Sequence, residues 1–397
     1  MHREEQLRII KGLISHRDND TNVDAGGQLH TPVSTYTCPE RAALEWQEFF
    51  QAYPQMMGLS GDLPEAGSFM TSTELGKPII LTRDEAGKFH AFLNVCRHRG
   101  TVVENEHRGQ KRLFSCPFHA WGYSAKGELV AVPKEEHFGK VDRSCHSLVA
   151  LPAEEKYGML WVHPDPQGTL NVDDCLGEEL AGELASWDLG KYNLMGDTKY
   201  DHAMNWKLAI DTFGETYHFN ALHKNTLAES FYGNAQMYDT FKRNHRMALC
   251  LKSVDDMRAE PEDKWHVLRG ALPVYYLFPN TQLIVGMAGP TLFRIYPKAG
   301  DPNNSCSQIS FYLDPMIEKL ALDPERREMV SDIQGRMHGF ASVIEQEDYV
   351  AAASSHVGAL SGAQEHVVFG RNEPALHHYH NTYREALGMS KLELVSA

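Results

Sequence analysis

Apolar positions follow a helical period at the start of the chain and then change to short runs. Between Glu4 and Ile14 they recur at helical spacing, which predicts an N-terminal helix. A loop rich in Asp, Asn and Gly follows over residues 18–27. Between about residues 55 and 165, short apolar runs bounded by turn residues predict the strands of a small all-β domain. These runs are Pro78–Thr82, Phe89–Leu93, Leu129–Val132 and Tyr157–Val162.

The second half of the chain alternates helical patterns with longer apolar runs. Helices are predicted over 206–223, from 323 to about 353, and over 375–387. Strands of a larger sheet are predicted over 274–278, 281–285 and 309–313. The whole pattern is typical of the α+β class, with a small all-β domain before a larger mixed one.

Length and charge narrow the range of functions. A chain of 397 residues predicts two or three domains. Its formal net charge of −15 argues against a nucleic-acid partner and against a polybasic membrane anchor. The first residues lack the apolar core of a signal peptide, and no run approaches the roughly 20 apolar residues that span a bilayer. We therefore expect a cytoplasmic protein. Its 7 cysteines are odd in number and scattered, which disfavours a disulfide framework.

The strongest chemical pattern is a pair of short motifs that each mix cysteine with histidine. Cys96 and His98 form C-x-H, and Cys116 and His119 form C-x-x-H further on. Two thiolates and two imidazoles can hold a Rieske [2Fe–2S] cluster, with the cysteines on one iron and the histidines on the other. The alternative is a zinc site, but zinc motifs usually pair cysteine with cysteine and histidine with histidine.

A second pattern, His218 followed by His223, is weak evidence by itself, because chance pairs are expected in a chain with 21 histidines. A regular helix turns by about 100° per residue, so positions five apart lie on different faces. If both histidines bind one metal, the helix must widen or end there. Irregularities of the π type cluster at functional sites.

The residues around both patterns resemble those of one protein family, the catalytic α subunits of the Rieske non-haem iron ring-hydroxylating oxygenases. The flanking residues that carry the resemblance are Asn94-Val95, Trp121, Asn205-Trp206-Lys207 and Tyr217. The similarity covers nearly the whole chain. It implies a helical segment over 1–50, a Rieske domain over 51–165 and a catalytic domain over 166–397, whose antiparallel sheet is wrapped by helices in the helix-grip, START-like manner. One departure is Ala120, where the family usually has glycine.

The resemblance also implies a mononuclear iron site. His218, His223 and a carboxylate from a late helix would form the facial triad of non-haem Fe(II) oxygenases, which leaves positions open for O2 and substrate. Asp348 is the predicted carboxylate, and Glu345 and Glu347 stay open as alternatives. Ala353 and His356 occupy the places where the family often has an acid and a glutamine, so a contact beyond the ligands is expected to be lost.

The acid three positions before the first iron histidine has a separate role in this family. Cluster and iron of one subunit are too far apart for fast electron transfer, and a head-to-tail trimer brings one subunit's cluster to its neighbour's iron. The family's acid links the two, and here it is Glu215 instead of the usual aspartate. By position it would bond to His218 and to the partner subunit's His119. Asp211, in the same motif, is expected as a further catalytic residue.

We therefore expect the terminal oxygenase component of a multicomponent system. It would use O2, a [2Fe–2S] cluster and mononuclear Fe(II) to hydroxylate or dihydroxylate an aromatic or related organic substrate. The chain lacks a P-loop, a GxGxxG fingerprint and plant-type ferredoxin spacing, which implies a separate NAD(P)H-dependent reductase, with or without a ferredoxin. A homotrimer or an α3β3 assembly is expected. The alternative is a monooxygenase that acts on an aliphatic or N-methyl group, including oxidative demethylation, because Glu215 resembles relatives that oxidise carnitine or betaine.

Other interpretations explain less of the sequence. An electron-transfer protein with a cluster alone would leave the second half without a task, and an α subunit without iron is disfavoured because all three candidate ligands are present. Phe231, Tyr232, Tyr238 and Phe241 could form an aromatic cage for a quaternary amine, or could belong to the core. His377, His378 and His380 are expected in an ordinary helix. Cys145, Cys175, Cys250 and Cys306 are expected to be structural.

Overall fold

The computed structural model describes residues 1–395, and the chain divides into two compact units. The larger unit contains Met1–Trp46, Asp173–Asp188 and the chain from Leu194 onward. The smaller unit contains Gln47–Val172 and Leu189–Asn193. The smaller unit is thus inserted into the sequence of the larger one, and the N-terminal segment belongs with the second half of the chain.

The helices and strands are named in chain order. The α-helices are α1 (Arg3–Asn19), α2 (Ser34–Thr37), α3 (Pro39–Glu45), α4 (Glu135–Phe138), α5 (Val172–Leu176), α6 (Glu178–Ala185), α7 (Trp206–Asp211), α8 (Val254–Met257), α9 (Val267–Gly270), α10 (Pro315–Leu320), α11 (Arg327–Val343), α12 (Tyr349–Leu360) and α13 (Pro374–Ala386). The strands are β1 (Gln28–Pro32), β2 (Gln55–Leu59), β3 (Ser68–Ser72), β4 (Ile79–Arg83), β5 (Phe89–Leu93), β6 (Arg108–Gln110), β7 (Leu113–Ser115), β8 (Gly122–Ser124), β9 (Leu129–Ala131), β10 (Ala150–Leu151), β11 (Ala153–Lys156), β12 (Met159–Val162), β13 (Asn193–His202), β14 (Phe231–Phe241), β15 (Asn244–Leu251), β16 (Ala271–Leu277), β17 (Thr281–Val285), β18 (Pro290–Lys298), β19 (Asp301–Leu313), β20 (His366–Phe369) and β21 (Leu394–Val395).

The smaller unit is built from three antiparallel sheets. Their strand orders are β10-β5-β4-β3-β6, β11-β12-β2 and β7-β8-β9. Phe69, Ile80 and Phe92 lie in the core of this unit, and the buried thiols of Cys96 and Cys116 belong to the same apolar cluster. The two cysteine loops are therefore anchored on the core.

The larger unit is organised around a seven-stranded sheet with the order β13-β19-β18-β17-β16-β15-β14. Successive strands from β14 to β19 pair antiparallel. All residues of β17 are buried, and β18 is buried except at its last residue, so both faces of the central strands are covered. A separate small sheet, β20-β1-β21, joins the N-terminal segment to two strands near the other end of the chain.

The α+β architecture expected from the sequence is confirmed, with a small all-β unit and a larger unit whose antiparallel sheet packs with helices. Helix α1 corresponds to the N-terminal helix and buries Ile9, Ile10 and Leu13. Of the strands in the seven-stranded sheet, β13, β14, β15 and β18 were not predicted. In the part of the chain described here, no helix combines the length and the apolar character that crossing a membrane requires.

The continuous helix predicted over 206–223 is wrong. Helix α7 ends at Asp211, and a 3-10 turn over Tyr217–Asn220 follows after a break. Gly214 lies in this break, where a side-chain carbon would come within 2.3 Å of Leu376 Cδ2 on α13. Because of this break, His218 and His223 do not lie on one regular helix.

Candidate metal centres

The two cysteine loops of the smaller unit have the same backbone construction. The N–H of Gly100 donates to the carbonyl of Cys96 at 3.0 Å, and the N–H of Ala120 donates to that of Cys116 at 2.9 Å. Gly100 and Ala120 each stand four residues after their cysteine, and both have a positive φ, 79° and 57°. The family's usual glycine at position 120 is therefore explained by a left-handed turn, which alanine adopts at a cost.

The four side chains of these loops are arranged with sulfur inside and nitrogen outside. Cys96 and Cys116 are each 3% exposed, whereas His119 is exposed and its ring lies 4.6 Å from that of His98. Burial raises the pKa of the Cys116 thiol, and the adjacent Cys96 adds to this. Trp121 stacks on the His98 ring at 5.0 Å. The two soft thiols and two imidazoles fit the donor set of a Rieske cluster.

Tyr123 is a neighbour of this donor set that sequence analysis missed. Its hydroxyl lies 3.3 Å from Cys96 Sγ and accepts a hydrogen bond from the Arg97 N–H at 3.0 Å. Because the hydroxyl oxygen already accepts that bond, its own hydrogen is free to point at the sulfur. Nothing in the cysteine–histidine motif itself indicated this contact.

In the larger unit, the Asn205-Trp206-Lys207 motif anchors the start of α7. The Asn205 side chain accepts from the Lys207 N–H at 3.0 Å and caps the helix, while its amide donates to the carbonyls of Tyr36 and Pro302. Trp206 Nε1 and Lys207 Nζ both bond to Glu45. These contacts fix α7, and with it the chain that leads to His218.

His218, His223 and Asp348 converge in the larger unit, and one donor atom from each lies within 4.8 Å of the others. Asp348 ends a π-helical turn, Ile344–Asp348, between α11 and α12. Its two oxygens lie 3.3 Å from His218 Nε2 and 3.2 Å from His223 Nε2. The Nε2 atoms of both histidines and Oδ2 of Asp348 are buried without a hydrogen-bond partner. A divalent metal ion would satisfy all three atoms, so these residues fit a facial triad.

The other ring nitrogens of the two histidines are held by carboxylates. Glu215 bonds to His218 Nδ1 and also accepts from the backbone N–H groups of Tyr217 and His218. Glu347 accepts from His223 Nδ1 at 2.7 Å and from Thr226 Oγ1 at 2.9 Å. Such partners fix the ring orientation of metal-binding histidines. Glu347 thus occupies the far side of His223 from Asp348.

Burial and charge act in opposite directions at this centre. Burial lowers the pKa of His218, but the neighbouring Asp348 and Glu215 carboxylates outweigh it and raise the pKa to about 9. The pKa of His223 is raised in the same way, against burial, by Asp348 and Glu347. Burial raises the pKa of Asp348, yet the two histidines bring it below its ordinary value. The carboxylates around the two histidines thus favour positive charge at this centre, as a site for a metal cation requires.

The remaining residues singled out from the sequence lie outside the triad. Asp211 bonds to His380 Nε2 at 3.0 Å and to the Tyr36 hydroxyl at 2.7 Å, so the structure does not bring it to the three ligands. Glu345 interacts with Tyr200. His377, His378 and His380 belong to α13, and His356 contacts Asn303 at 3.1 Å.

Comparison with known proteins gives two matches to family models. The model described as the ring-hydroxylating α subunit, catalytic domain, matches residues 189–389. The model of the Rieske [2Fe–2S] domain matches residues 54–149. The first match contains all three residues of the proposed triad, and the second contains both cysteine loops.

Curated relatives act on two kinds of substrate. The chain is 26% identical over 279 residues to the large subunit of anthranilate 1,2-dioxygenase of Acinetobacter baylyi, covering 68% of this chain and 57% of the relative. It is 30% identical over 203 residues to the oxygenase subunit of glycine betaine monooxygenase of Chromohalobacter salexigens, covering 51% and 44%. The chain thus spans about half the length of these relatives.

Solved structures share the fold at low identity. The quaternary ammonium Rieske monooxygenase CntA with L-carnitine has a TM-score of 0.74 and 19% identity, covering 91% of this chain and 96% of that one. Naphthalene 1,2-dioxygenase with indole has a TM-score of 0.70 and 19% identity, covering 91% and 93%.

Proposed function

The chain belongs to the ring-hydroxylating α-subunit family, and from that premise we propose that it is the terminal oxygenase component of a multicomponent Rieske system. It would use O2 and electrons from a separate NAD(P)H-dependent reductase, with or without a ferredoxin, to hydroxylate or dihydroxylate a small organic substrate. The observation that carries this proposal is the convergence of His218, His223 and Asp348, where both Nε2 atoms and Asp348 Oδ2 are buried without a hydrogen bond.

The chain's own residues would perform four tasks in this activity. Cys96, His98, Cys116 and His119 would hold the cluster, and the triad would hold the mononuclear iron. Bound there, the cluster would supply electrons one at a time and the ferrous ion would activate O2. Glu347 keeps His223 Nδ1 engaged, so that Nε2 presents its lone pair to the metal. The burial of His223 and Asp348, 1% and 4% exposed, keeps bulk water from the ligands.

Glu215 is proposed as the link between subunits in a trimer. Its Oε1 bonds to His218 Nδ1 and can accept a second bond, whereas Oε2 already accepts from two backbone N–H groups. The partner subunit's His119 is the proposed second donor. This role depends on an assembly of several copies, and a homotrimer or an α3β3 assembly is part of the proposal.

A quaternary-amine monooxygenase is the second candidate, favoured by glutamate at position 215 and by relatives that act on glycine betaine and carnitine. The four aromatic residues that could form a cage for a quaternary amine give this second candidate little support. Phe231, Tyr232, Tyr238 and Phe241 are spread along strand β14, and Tyr232 packs under the guanidinium of Arg17. A substrate panel of aromatic acids, arenes and methylammonium compounds separates the two candidates.

The metal assignment is tested by iron content and spectroscopy. Asp348→Ala and His223→Ala should lose the mononuclear iron and all turnover while the Rieske electron-paramagnetic-resonance signal persists. Cys116→Ser should lose that signal. Glu347→Gln should keep the iron but bind it about tenfold more weakly, and Glu345→Gln is the matched control. If Asp348→Ala kept its full content of mononuclear iron, the third ligand would have to be another acid.

The role of Glu215 requires a different comparison. Glu215→Gln should keep both metals and the assembly, keep turnover driven by hydrogen peroxide, and lose nearly all turnover driven by a reductase. Glu229→Gln, an exposed acid in the same segment, should behave like the unmodified protein. Normal reductase-driven turnover of Glu215→Gln would contradict the link.

A further inference from the structure

An apolar cavity of about 420 Å³ lies in the larger unit, between helix α11 and the sheet. Ile333, Met337 and Phe340 line it from the helix, and Leu272, Ile284 and Thr291 line it from strands β16, β17 and β18. Its volume falls within the range of about 300–1,000 Å³ that is usual for small-molecule sites. The cavity is therefore large enough for a substrate of one to three rings.

Two connections link this cavity to the triad. Phe231 in its lining packs edge-to-face on Phe219 at 5.6 Å, and Phe219 contacts the rings of His218 and His223 at 5.0 and 5.4 Å. Helix α11 also continues directly into the π-helical turn that ends at Asp348. The rings of Phe231 and Phe219 thus lie between the cavity and the proposed iron site.

Arg336 is the one charged residue in the described lining of this cavity. It is exposed, whereas Phe340 one turn further along α11 is partly buried, so the guanidinium stands at the solvent side. Among the residues described, none forms an ion pair or a hydrogen bond with it. Its guanidinium is therefore available to pair with an anionic group at the mouth of the cavity.

Resting on the proposed function, we propose that the substrate of this site is an organic acid with an extended apolar body. Its carboxylate pairs with the guanidinium of Arg336, which offers a planar pair of donors that matches a carboxylate. The apolar body lies along α11 toward Phe231 and the triad. A cationic substrate is disfavoured at the same position, because like charges repel and the described lining offers no carboxylate.

The position of Arg336 also sets the length of the substrate's apolar body. Twelve positions separate Arg336 from Asp348, which corresponds to about 18 Å along a helix. Part of this distance is covered by the arginine side chain and by the metal. The cavity of about 420 Å³ is larger than one aromatic ring, so a two-ring acid should fill it better than benzoate.

The experiment measures binding of four probes to the iron-loaded protein by calorimetry. The probes are biphenyl-4-carboxylate, benzoate, neutral biphenyl and benzyltrimethylammonium. Biphenyl-4-carboxylate should bind most tightly, and Arg336→Gln should weaken its binding by about tenfold, less at high salt. Binding of biphenyl should not change. Arg336→Glu should weaken the acid further, and Arg327→Gln, on the same helix but outside the cavity, is the matched control.

The outcomes separate this inference from the proposed function. Failure of biphenyl-4-carboxylate to bind, equal losses of affinity for this acid and for biphenyl in Arg336→Gln, or tighter binding of the ammonium probe would overturn the inference. If biphenyl or the ammonium probe were oxidised equally well by the unmodified protein and by Arg336→Gln, the oxygenase proposal would be supported and this inference would not. Arg336-dependent binding of the acid, with no oxidation of any probe by peroxide or reductase, would support the inference and contradict the oxygenase.

Discussion

Lys207 and Glu45 form an ion pair that is almost completely buried. Lys207 Nζ lies 2.7 and 2.6 Å from the two carboxylate oxygens, and each side chain is 1% exposed. Trp206 Nε1 donates to the same carboxylate at 3.1 Å. Burial lowers the pKa of Lys207, and Glu45 opposes this. The motif that precedes His218 and His223 therefore fastens α7 to the end of α3.

Removing one partner of this pair should destabilise the protein far more than removing both. Lys207→Ala leaves the Glu45 carboxylate buried and unpaired, and should lower the free energy of unfolding by about 3–5 kcal/mol. The double variant Glu45→Leu/Lys207→Met should recover much of that loss. Denaturant unfolding measures both values. Lys298→Ala, in an exposed pair with Asp201, should change stability by no more than about 1 kcal/mol. Additive losses in the double variant would contradict the argument.

Tyr123→Phe should lower the reduction potential of the cluster. A hydrogen bond to a cluster sulfur stabilises the reduced, more negative state. Losing about 1 kcal/mol of that preference corresponds to roughly 40 mV for a one-electron couple. A redox titration followed by electron paramagnetic resonance measures the change, and the visible spectrum confirms that the cluster is present. An unchanged potential would show that the hydroxyl does not point at Cys96.

Ala120→Gly should stabilise the protein, because Ala120 holds a left-handed φ of 57°. The strain of alanine in that region, about 1–2 kcal/mol, exceeds the entropic cost of glycine, about 0.5–1 kcal/mol. The reciprocal change, Gly100→Ala, should destabilise the equivalent turn, where φ is 79° and a side-chain carbon would meet nothing within 4 Å. Thermal unfolding of the loaded protein measures both, and a loss of stability in Ala120→Gly would be the contrary result.

Glu5→Gln should destabilise the protein in a pH-dependent way. Its hydrogen bond from Arg8, with a further one from Arg246, outweighs burial and holds the pKa of Glu5 at about 2. A depressed pKa contributes stability that is complete above the ordinary value of about 4.5 and is lost as pH falls toward 2. The variant should lose about 1–2 kcal/mol at pH 7 after screening is allowed for, and the difference should shrink below about pH 4. Glu4→Gln, an exposed neighbour, should show no such trend.

The local pattern predicted the class of the fold better than the path of its main sheet. Short apolar runs placed β4 and β5, and helical spacing placed α1 and α13. The pattern between residues 166 and 251 did not indicate β13, β14 or β15. No residue of β13 is buried, β14 mixes buried and exposed positions irregularly, and β15 is buried at all but its last residue, so none shows a clear alternation of buried and exposed positions. Their strand character depends on neighbours distant in sequence, such as β19 beside β13.

The two histidine patterns differ in what their residues alone could predict. The ligand spacing of Cys96, His98, Cys116 and His119 carried its own chemistry. Asp348 could be preferred to Glu345 and Glu347 only through a resemblance, because a π-helical turn shifts the angular position of each residue relative to a regular helix. The same shift turns Glu347 toward His223 Nδ1, a contact that helical periodicity could not supply.

The insertion of the smaller unit limits how chains of this kind can recombine. An exchange of its main segment, Gln47–Val172, as a cassette needs two crossovers, near 46/47 and near 172/173, and leaves Leu189–Asn193 from the other parent. A single crossover at the predicted boundary 165/166 would take Glu45 from one parent and Lys207 from the other. Parents that differ at either residue would then produce chimaeras with an unpaired buried charge, even where each parental unit folds well.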